Sequence, residues 1–248
     1  MGQLIKLQDY ISRYELNVYR YPTQFIRLKK QNWTKVKNEL EQQMNDEELK
    51  QEFLDSIFSF QLKWASSTIR ERSFVDEQFY YDSNLKYFLQ RFPDTYLVLY
   101  KPIFLLKQAP VEVEIIIITP IETLCITFLE GDENSVFVGS KERFWIEKNG
   151  KSEKKVLSPL IGLNRTEKIV RQIYQLNEID FPIRKVILNR TGIFDYPFVP
   201  YDVNLVDKRE YEEWFQRMRG IVSPLKSIQM KAAHALLSHC HATFILRQ

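Results

Sequence analysis

Through the first ninety residues the hydrophobic positions recur near a 3.6-residue spacing. Leu4, Leu7, Tyr10, Ile11 and Tyr14 form one such series and Trp33, Val36 and Leu40 another, which predicts helices. Tyr21-Pro22 separates the first pair of helices. A further helix is expected from Asp46, whose short carboxylate can cap it ahead of Leu49, Phe53, Leu54, Ile57 and Phe60. Another runs from Tyr81 to Arg91 and stops before Pro93, because the residue preceding a proline is driven out of the α region.

Beyond Pro93 the pattern changes to β-branched and aromatic runs of strand length: 96–106, 111–119, 123–129, 135–139 and 143–147. Asn149-Gly150 signals a turn, with 154–157 returning as a strand. A helix follows from Pro159, its buried stripe marked by Leu160, Leu163, Ile169, Val170, Ile173, Tyr174 and Leu176. Strands at 184–188 and 203–206, a helix from Asp207 to Arg219 and a last helix from Pro224 complete the chain. Strand meander, helix, strand, strand and helix make an α/β protein with a mixed central sheet flanked by helices. The expected organisation is a helical N-terminal region over residues 1–80, a domain over 81–220 and a C-terminal helix over 221–248.

Composition agrees with a globular chain. Of 248 residues, 44% are hydrophobic and 27% charged, with only 7 Gly and 10 Pro, which excludes collagen-like and most disordered classes. No apolar run reaches the ~20 residues that a membrane span needs, and Met1 to Asp9 lacks a signal-peptide core, so no membrane partner is expected. Two cysteines, Cys125 and Cys240, cannot make a disulfide framework and fit a reducing, cytoplasmic setting.

The net charge is only +3, but it is unevenly spread. Up to residue 38 there are eight basic groups against Asp9 and Glu15, whereas Glu39 to Ser56 carries seven acids and one base. Arg27, Lys29, Lys30, Lys35 and Lys37 interleave with Tyr19, Tyr21, Phe25 and Trp33, a mixture suited to phosphate contacts and base stacking on DNA or RNA. Lys141, Arg143, Lys148, Lys151, Lys154 and Lys155 form a second basic group around the Asn149-Gly150 turn. The competing reading is a set of solvated helix faces and hairpin tips, with the oppositely charged N-terminal helices pairing with one another.

A Gly-rich phosphate loop, a Gly-x-Ser-x-Gly elbow and a Cys-x-x-Cys pair are all missing, which disfavours P-loop hydrolysis, elbow-type serine hydrolysis and a zinc ribbon. The remaining chemistry is carboxylate or basic. Strand alternation puts Glu112 and Glu114 on one face, and a hairpin through Thr119-Pro120-Ile121-Glu122 can bring Glu114 towards Glu130, with Asp132 and Glu133 close behind. Converging carboxylates suit Mg²⁺, which prefers oxygen ligands. His234, His239, Cys240 and His241 crowd the C-terminus, but their spacing lets them converge on a metal only if the helix ends near Ser238.

The stretches Leu85-Lys86-Tyr87-Phe88-Leu89, Pro93-Asp94-Thr95-Tyr96, Val113 to Pro120, Phe144-Trp145, Leu157-Ser158-Pro159-Leu160 and Leu163-Asn164-Arg165 resemble, in order and spacing, the nuclease-related domain (NERD) family. The resemblance covers about residues 80 to 215. It implies a core like that of PD-(D/E)XK nucleases and restriction endonucleases, and metal-dependent cleavage of nucleic acid. In that pattern Glu114 takes the first acidic position. The Glu-x-Lys motif is missing, however, and the Asn-Pro-x-x-Gln motif reads Ser158-Pro159-Leu160-Ile161-Gly162. The resemblance then implies Glu114 and Glu130 as metal ligands, with Asp132 as an alternative to Glu130 and Lys141 as the replacement cation beside the attacked phosphodiester. The alternative is a non-catalytic interaction or scaffold module on the same nuclease-like fold.

Overall fold

The computed structural model describes residues 1–40 and 44–247; the Leu40 side chain and Glu41 of the acidic run lie outside that description. The chain opens with strand β1 (Gln3–Leu7), followed by the short helix α1 (Arg13–Leu16), α2 (Tyr21–Leu40) and α3 (Asp46–Trp64). Strand β2 (Glu71–Arg72) and helices α4 (Gln78–Tyr81) and α5 (Ser83–Arg91) lead to β3 (Leu97–Tyr100), β4 (Ile103–Leu106), β5 (Ala109–Glu112), β6 (Ile115–Ile118) and β7 (Thr123–Phe128). Next come β8 (Val136–Val138), β9 (Phe144–Asn149), β10 (Ser152–Leu157), α6 (Pro159–Leu176), β11 (Ile183–Leu188), β12 (Ile193–Asp195) and β13 (Val203–Val206). Helices α7 (Tyr211–Gly220) and α8 (Ser227–Leu237) and the short strand β14 (Ile245–Leu246) end the description.

The central sheet has six strands in the order β1-β3-β6-β7-β11-β13. β3, β6 and β7 are antiparallel neighbours, while β1 runs parallel to β3, and β7, β11 and β13 run parallel to one another. The sheet is therefore mixed, with helices on both faces. Alternation sorts its side chains into two layers. Leu97, Leu99, Ile116, Ile118, Cys125 and Ile187 pack with Leu163, Val170 and Ile173 of α6 and with α8. Val98, Tyr100, Ile115, Ile117, Leu124, Ile126, Val186 and Leu188 pack with Leu85, Phe88 and Leu89 of α5 and with Trp214 and Phe215 of α7. The run Ile115 to Ile118 is buried on both faces, each side chain contributing about 2 kcal/mol on leaving water.

The N-terminus corrects the helical reading of Leu4 and Leu7. Those residues lie on β1, whose five residues are all buried. The 3.6-residue spacing of Leu4, Leu7, Tyr10, Ile11 and Tyr14 is shared between a strand, a turn and α1, so periodicity alone could not separate them. α3 lies over this edge strand: the Gln61 Oε1 accepts from the Leu4 N–H at 2.8 Å, and Phe53 and Phe58 enter opposite layers. A free edge that would otherwise invite pairing is thereby covered.

Smaller corrections follow from backbone chemistry. The expected strand 96–106 is two strands, because Lys101 has a left-handed φ of 46° and Pro102 follows it. The expected strand 111–119 also divides, so Glu112 lies in the β4–β5 hairpin and Glu114 in the joint before β6. They do not share one strand face. Asn45, rather than Asp46, caps α3, accepting from the Glu47 and Glu48 N–H groups. Pro22 lies in the first turn of α2, where its missing N–H costs nothing.

A second sheet, in the order β10-β9-β8-β12, stands beside the central one. Its inner face carries Phe137, Trp145 and Phe194 into the core. The Trp145 Nε1 donates to the Ser140 carbonyl at 3.0 Å, and Tyr196 lies against the indole with ring centroids 5.3 Å apart.

Candidate functional site

Glu114 stands immediately before β6, on the layer occupied by α6. Its backbone N–H donates to Thr166 Oγ1 at 2.9 Å, and its carboxylate runs past Gly162, where a Cβ would come within 2.2 Å of Oε1. On the adjoining strand β7 the same layer presents Cys125 and, two residues on, Thr127, so neither neighbouring position supplies a second carboxylate or a cation. Burial pushes the Cys125 thiol well above its ordinary pKa, and the nearby Glu167 adds to the effect.

Glu130 lies in the opposite layer. Arg190, just beyond β11, grips it with Nε on Oε1 at 2.6 Å and Nη2 on Oε2 at 2.7 Å, while the Arg190 backbone N–H adds a bond of 3.0 Å. The guanidinium also donates to Asn84 Oδ1 of α5 and lies over the rings of Tyr87 and Phe128. Burial alone would lower the Arg190 pKa; the bonds to Glu130 outweigh it and hold the group above its ordinary value. The expected convergence of Glu114 and Glu130 does not form: the central sheet stands between them, and one carboxylate is already neutralised.

The other two proposed catalytic groups are placed elsewhere. Asp132 accepts from Asn149 Nδ2 at 3.0 Å, tying the β7–β8 connection to the β9–β10 turn. Lys141 lies in the β8–β9 loop and lines a pocket of about 540 Å³ with Gly139, Asp195, Tyr196 and Phe198. Among the described residues, no group of three or more His, Cys, Asp or Glu side chains is placed to hold a metal ion. The donor set drawn for Mg²⁺, Glu114 with Glu130, does not fit one cation, because its members face opposite layers and Arg190 occupies both oxygens of Glu130.

The C-terminal cluster is likewise dispersed. His239 Nδ1 bonds the Ala235 carbonyl at 2.8 Å, Cys240 Sγ donates to the Leu236 carbonyl, His241 approaches Asp9 at 4.0 Å and His234 leans on Tyr19. Helix-end bonding takes up His239 and Cys240, and the two other histidines face the N-terminal segment.

The basic groups of α2 divide into ion-paired members and an exposed set, Arg27, Lys30 and Lys37, whose spacing puts them on one side of the helix. Lys29 pairs with Asp94, and Lys35 approaches Glu39 at 3.8 Å. Arg27 and Lys30 are exposed, as is Lys37, which keeps an interaction of its own. Three of the four aromatics expected to stack on bases are turned inward, since Phe25 is buried, Trp33 packs edge-on against Phe53 and Tyr21 against Trp64, while Tyr19 is 55% exposed beside His234. In the second basic group, Lys148 pairs with Glu153 at 3.1 Å and Arg143 lies over Phe144. Lys151, Lys154 and Lys155 are exposed.

One polar cluster was missed from the sequence. Lys185, 6% exposed in the middle of β11, donates to Asn164 Oδ1 of α6 at 2.7 Å and pairs with Asp202 at 2.6 Å. The bond from Lys185 holds the Asp202 carboxyl below its ordinary range. A lysine inside the apolar run Ile183–Leu188 was the available signal, since a buried ammonium requires a partner.

Fold and site together define an α/β protein built on a mixed six-stranded sheet, and among its described residues no helix is long and apolar enough to cross a membrane. No family model matches the chain, and no solved structure matches it. A stretch of 37 residues is 62% identical to part of an RNA 2',3'-cyclic phosphodiesterase from Geobacillus stearothermophilus. That stretch is 15% of this chain and spans 12% of the relative's length, less than a folding unit of either protein.

Proposed function

We propose that the protein is a nuclease-related module of the NERD type that binds nucleic acid without hydrolysing it. The observation that carries the non-hydrolytic part of this reading is the separation of Glu114 from Glu130, together with Cys125 and Thr127 on the neighbouring strand. Metal-assisted hydrolysis of a phosphodiester requires carboxylates that share a cation and a positive group near the attacked phosphate. Here Glu130 is bound by Arg190, and Lys185, the buried cation in the α6 layer, is engaged by Asn164 and Asp202. The mixed central sheet flanked by helices supports the fold that the family reading implies, and the exposed cations of the β9–β10 ribbon support phosphate contact without cleavage.

Two measurements test the proposal together. Single-stranded and duplex DNA and RNA, incubated with the protein and Mg²⁺ or Mn²⁺, should remain intact with both the parent and Glu114→Ala. Binding of the same oligonucleotides should weaken steeply as salt is raised from low to physiological concentration. Cleavage by the parent that Glu114→Ala abolishes would restore a hydrolytic function. Absence of salt-sensitive binding would leave the protein-interaction or scaffold alternative.

A further inference from the structure

The four-stranded sheet buries one face and leaves the other open. Register and alternation put Phe144 and Leu157 side by side on the open face, followed by the pair Ile146 and Lys155 and then by Lys148 and Glu153. Val136 and Val138 of β8 continue the same face. Phe144 is 48% exposed and Leu157 52%, although both sit in regular, paired strands. Among the described residues, no helix makes an extensive contact with β8, β9 or β10. An isolated exposed apolar residue requires no explanation, but an aromatic-bearing sheet face left uncovered does.

Charge distinguishes among possible occupants. Arg143 lies over the Phe144 ring, and Lys155 stands beside it on the next strand. Lys141 lies at the upper end of the face, where the pocket of about 540 Å³ also carries Phe198, 77% exposed. Glu153 is drawn off by Lys148. Asp195, beside Val138 on the edge strand, is the carboxylate of the pocket end, and among the described residues no ion pair joins a carboxylate to Lys141, Arg143 or Lys155. An apolar floor with aromatic rings bordered by three such cations complements a ligand that is itself flat, apolar in its bases and anionic along its backbone. A duplex keeps its bases stacked and hidden, so it could use only the cations. An unpaired strand can use both.

We propose that this open face, centred on Phe144, binds single-stranded nucleic acid, with bases stacked on Phe144 and Phe198 and phosphates held by Lys141, Arg143 and Lys155. The proposal rests on the nucleic-acid reading above and deepens it by naming the surface and the strand class.

The test uses fluorescence anisotropy on the full chain, with single-stranded and duplex oligonucleotides of equal length. Phe144→Leu keeps an apolar side chain on the exposed strand but removes the ring; it should weaken single-strand binding about tenfold and leave duplex binding unchanged. Phe144→Tyr should retain the parent affinity, because a ring is restored. Lys155→Glu should weaken single-strand binding and flatten its salt dependence. Far-ultraviolet circular dichroism and the melting transition of each variant should match the parent. If Phe144→Leu binds single strands as the parent does while the parent still binds nucleic acid salt-sensitively, this surface is wrong and the broader reading stands. If the parent binds neither strand class, both fail. Loss of affinity in Phe144→Tyr as well as Phe144→Leu would also overturn stacking as the mode of contact.

Discussion

Arg190 holds Glu130 through both carboxylate oxygens, at 2.6 and 2.7 Å, on the layer of the sheet opposite Glu114. The guanidinium is sandwiched by context as well as charge, since it also lies 4.9 Å from the Tyr87 ring centroid and 4.7 Å from that of Phe128. The pair is about a quarter exposed, so it is worth more than a surface ion pair and less than a fully buried one. Glu130→Gln should therefore cost about 1 to 3 kcal/mol of stability in urea titration. Arg190→Ala should cost at least as much, because Glu130, Asn84 and two rings lose their common partner. A coupling near zero in the double-mutant cycle would show that the two groups act independently.

Gly162 and Glu114 are coupled by space. A Cβ at position 162 would meet Glu114 Oε1 at 2.2 Å, with Cδ at 3.1 Å. Alanine normally stabilises a helix interior by about 1 kcal/mol over glycine, and here that gain is opposed by displacing the carboxylate. Gly162→Ala should consequently be nearly neutral in the parent and stabilising by about 1 kcal/mol in a Glu114→Ala background. Thermal or urea unfolding of the four proteins measures the difference, and equal effects in both backgrounds would place the carboxylate elsewhere.

These relationships explain what could be read from the sequence and what could not. The central strands were legible because Tyr96 to Tyr100, Ile115 to Ile118 and Ile183 to Leu188 are largely aliphatic or aromatic runs of strand length, and α6 because Leu163, Ile169, Val170, Ile173 and Tyr174 keep one buried period, although Leu176, expected on the same stripe, is 69% exposed at the helix end. β1 was hidden because Leu4, Leu7 and Tyr10 fit a helical period by coincidence across a strand and a turn. The site failed for a different reason. Strand alternation predicts a side chain's layer only if the strand is continuous, and the joint at Val113-Glu114 separates Glu112 from Glu114. Nor could chain order reveal that Arg190, sixty residues beyond Glu130, would take up its carboxylate. The stacking aromatics of α2 were misassigned because interleaving with lysines is equally the pattern of an amphipathic helix with its rings inward.

Cys125 should be chemically silent in the folded protein. It is fully buried in β7, and burial raises its thiol pKa so that thiolate, the reactive form, is negligible near neutrality. A thiol reagent applied to native protein, followed by peptide mapping, should leave Cys125 unmodified, with labelling appearing only as denaturant crosses the unfolding midpoint. Rapid native labelling of Cys125 would require an opening of the sheet beside α6 that the packing does not provide.

Asp207 gives the fold an acid-sensitive element. Burial by itself would raise its pKa, but the Arg209 guanidinium, 2.6 Å from Oδ2, and the backbone N–H groups of Phe194 and Arg209 together hold it below the ordinary range. A carboxylate whose folded pKa is depressed contributes stability that is present above its unfolded value, about 3.9, and is lost as pH falls through the folded value. The urea midpoint should therefore decline as pH is lowered below about 4, and Asp207→Asn should make that decline shallower. The same substitution should lower stability at neutral pH by about 1 to 3 kcal/mol, since an amide cannot accept all the bonds now directed at two carboxylate oxygens. An unaltered acid limb in Asp207→Asn would show that the β12–β13 connection is held by packing rather than by this charge.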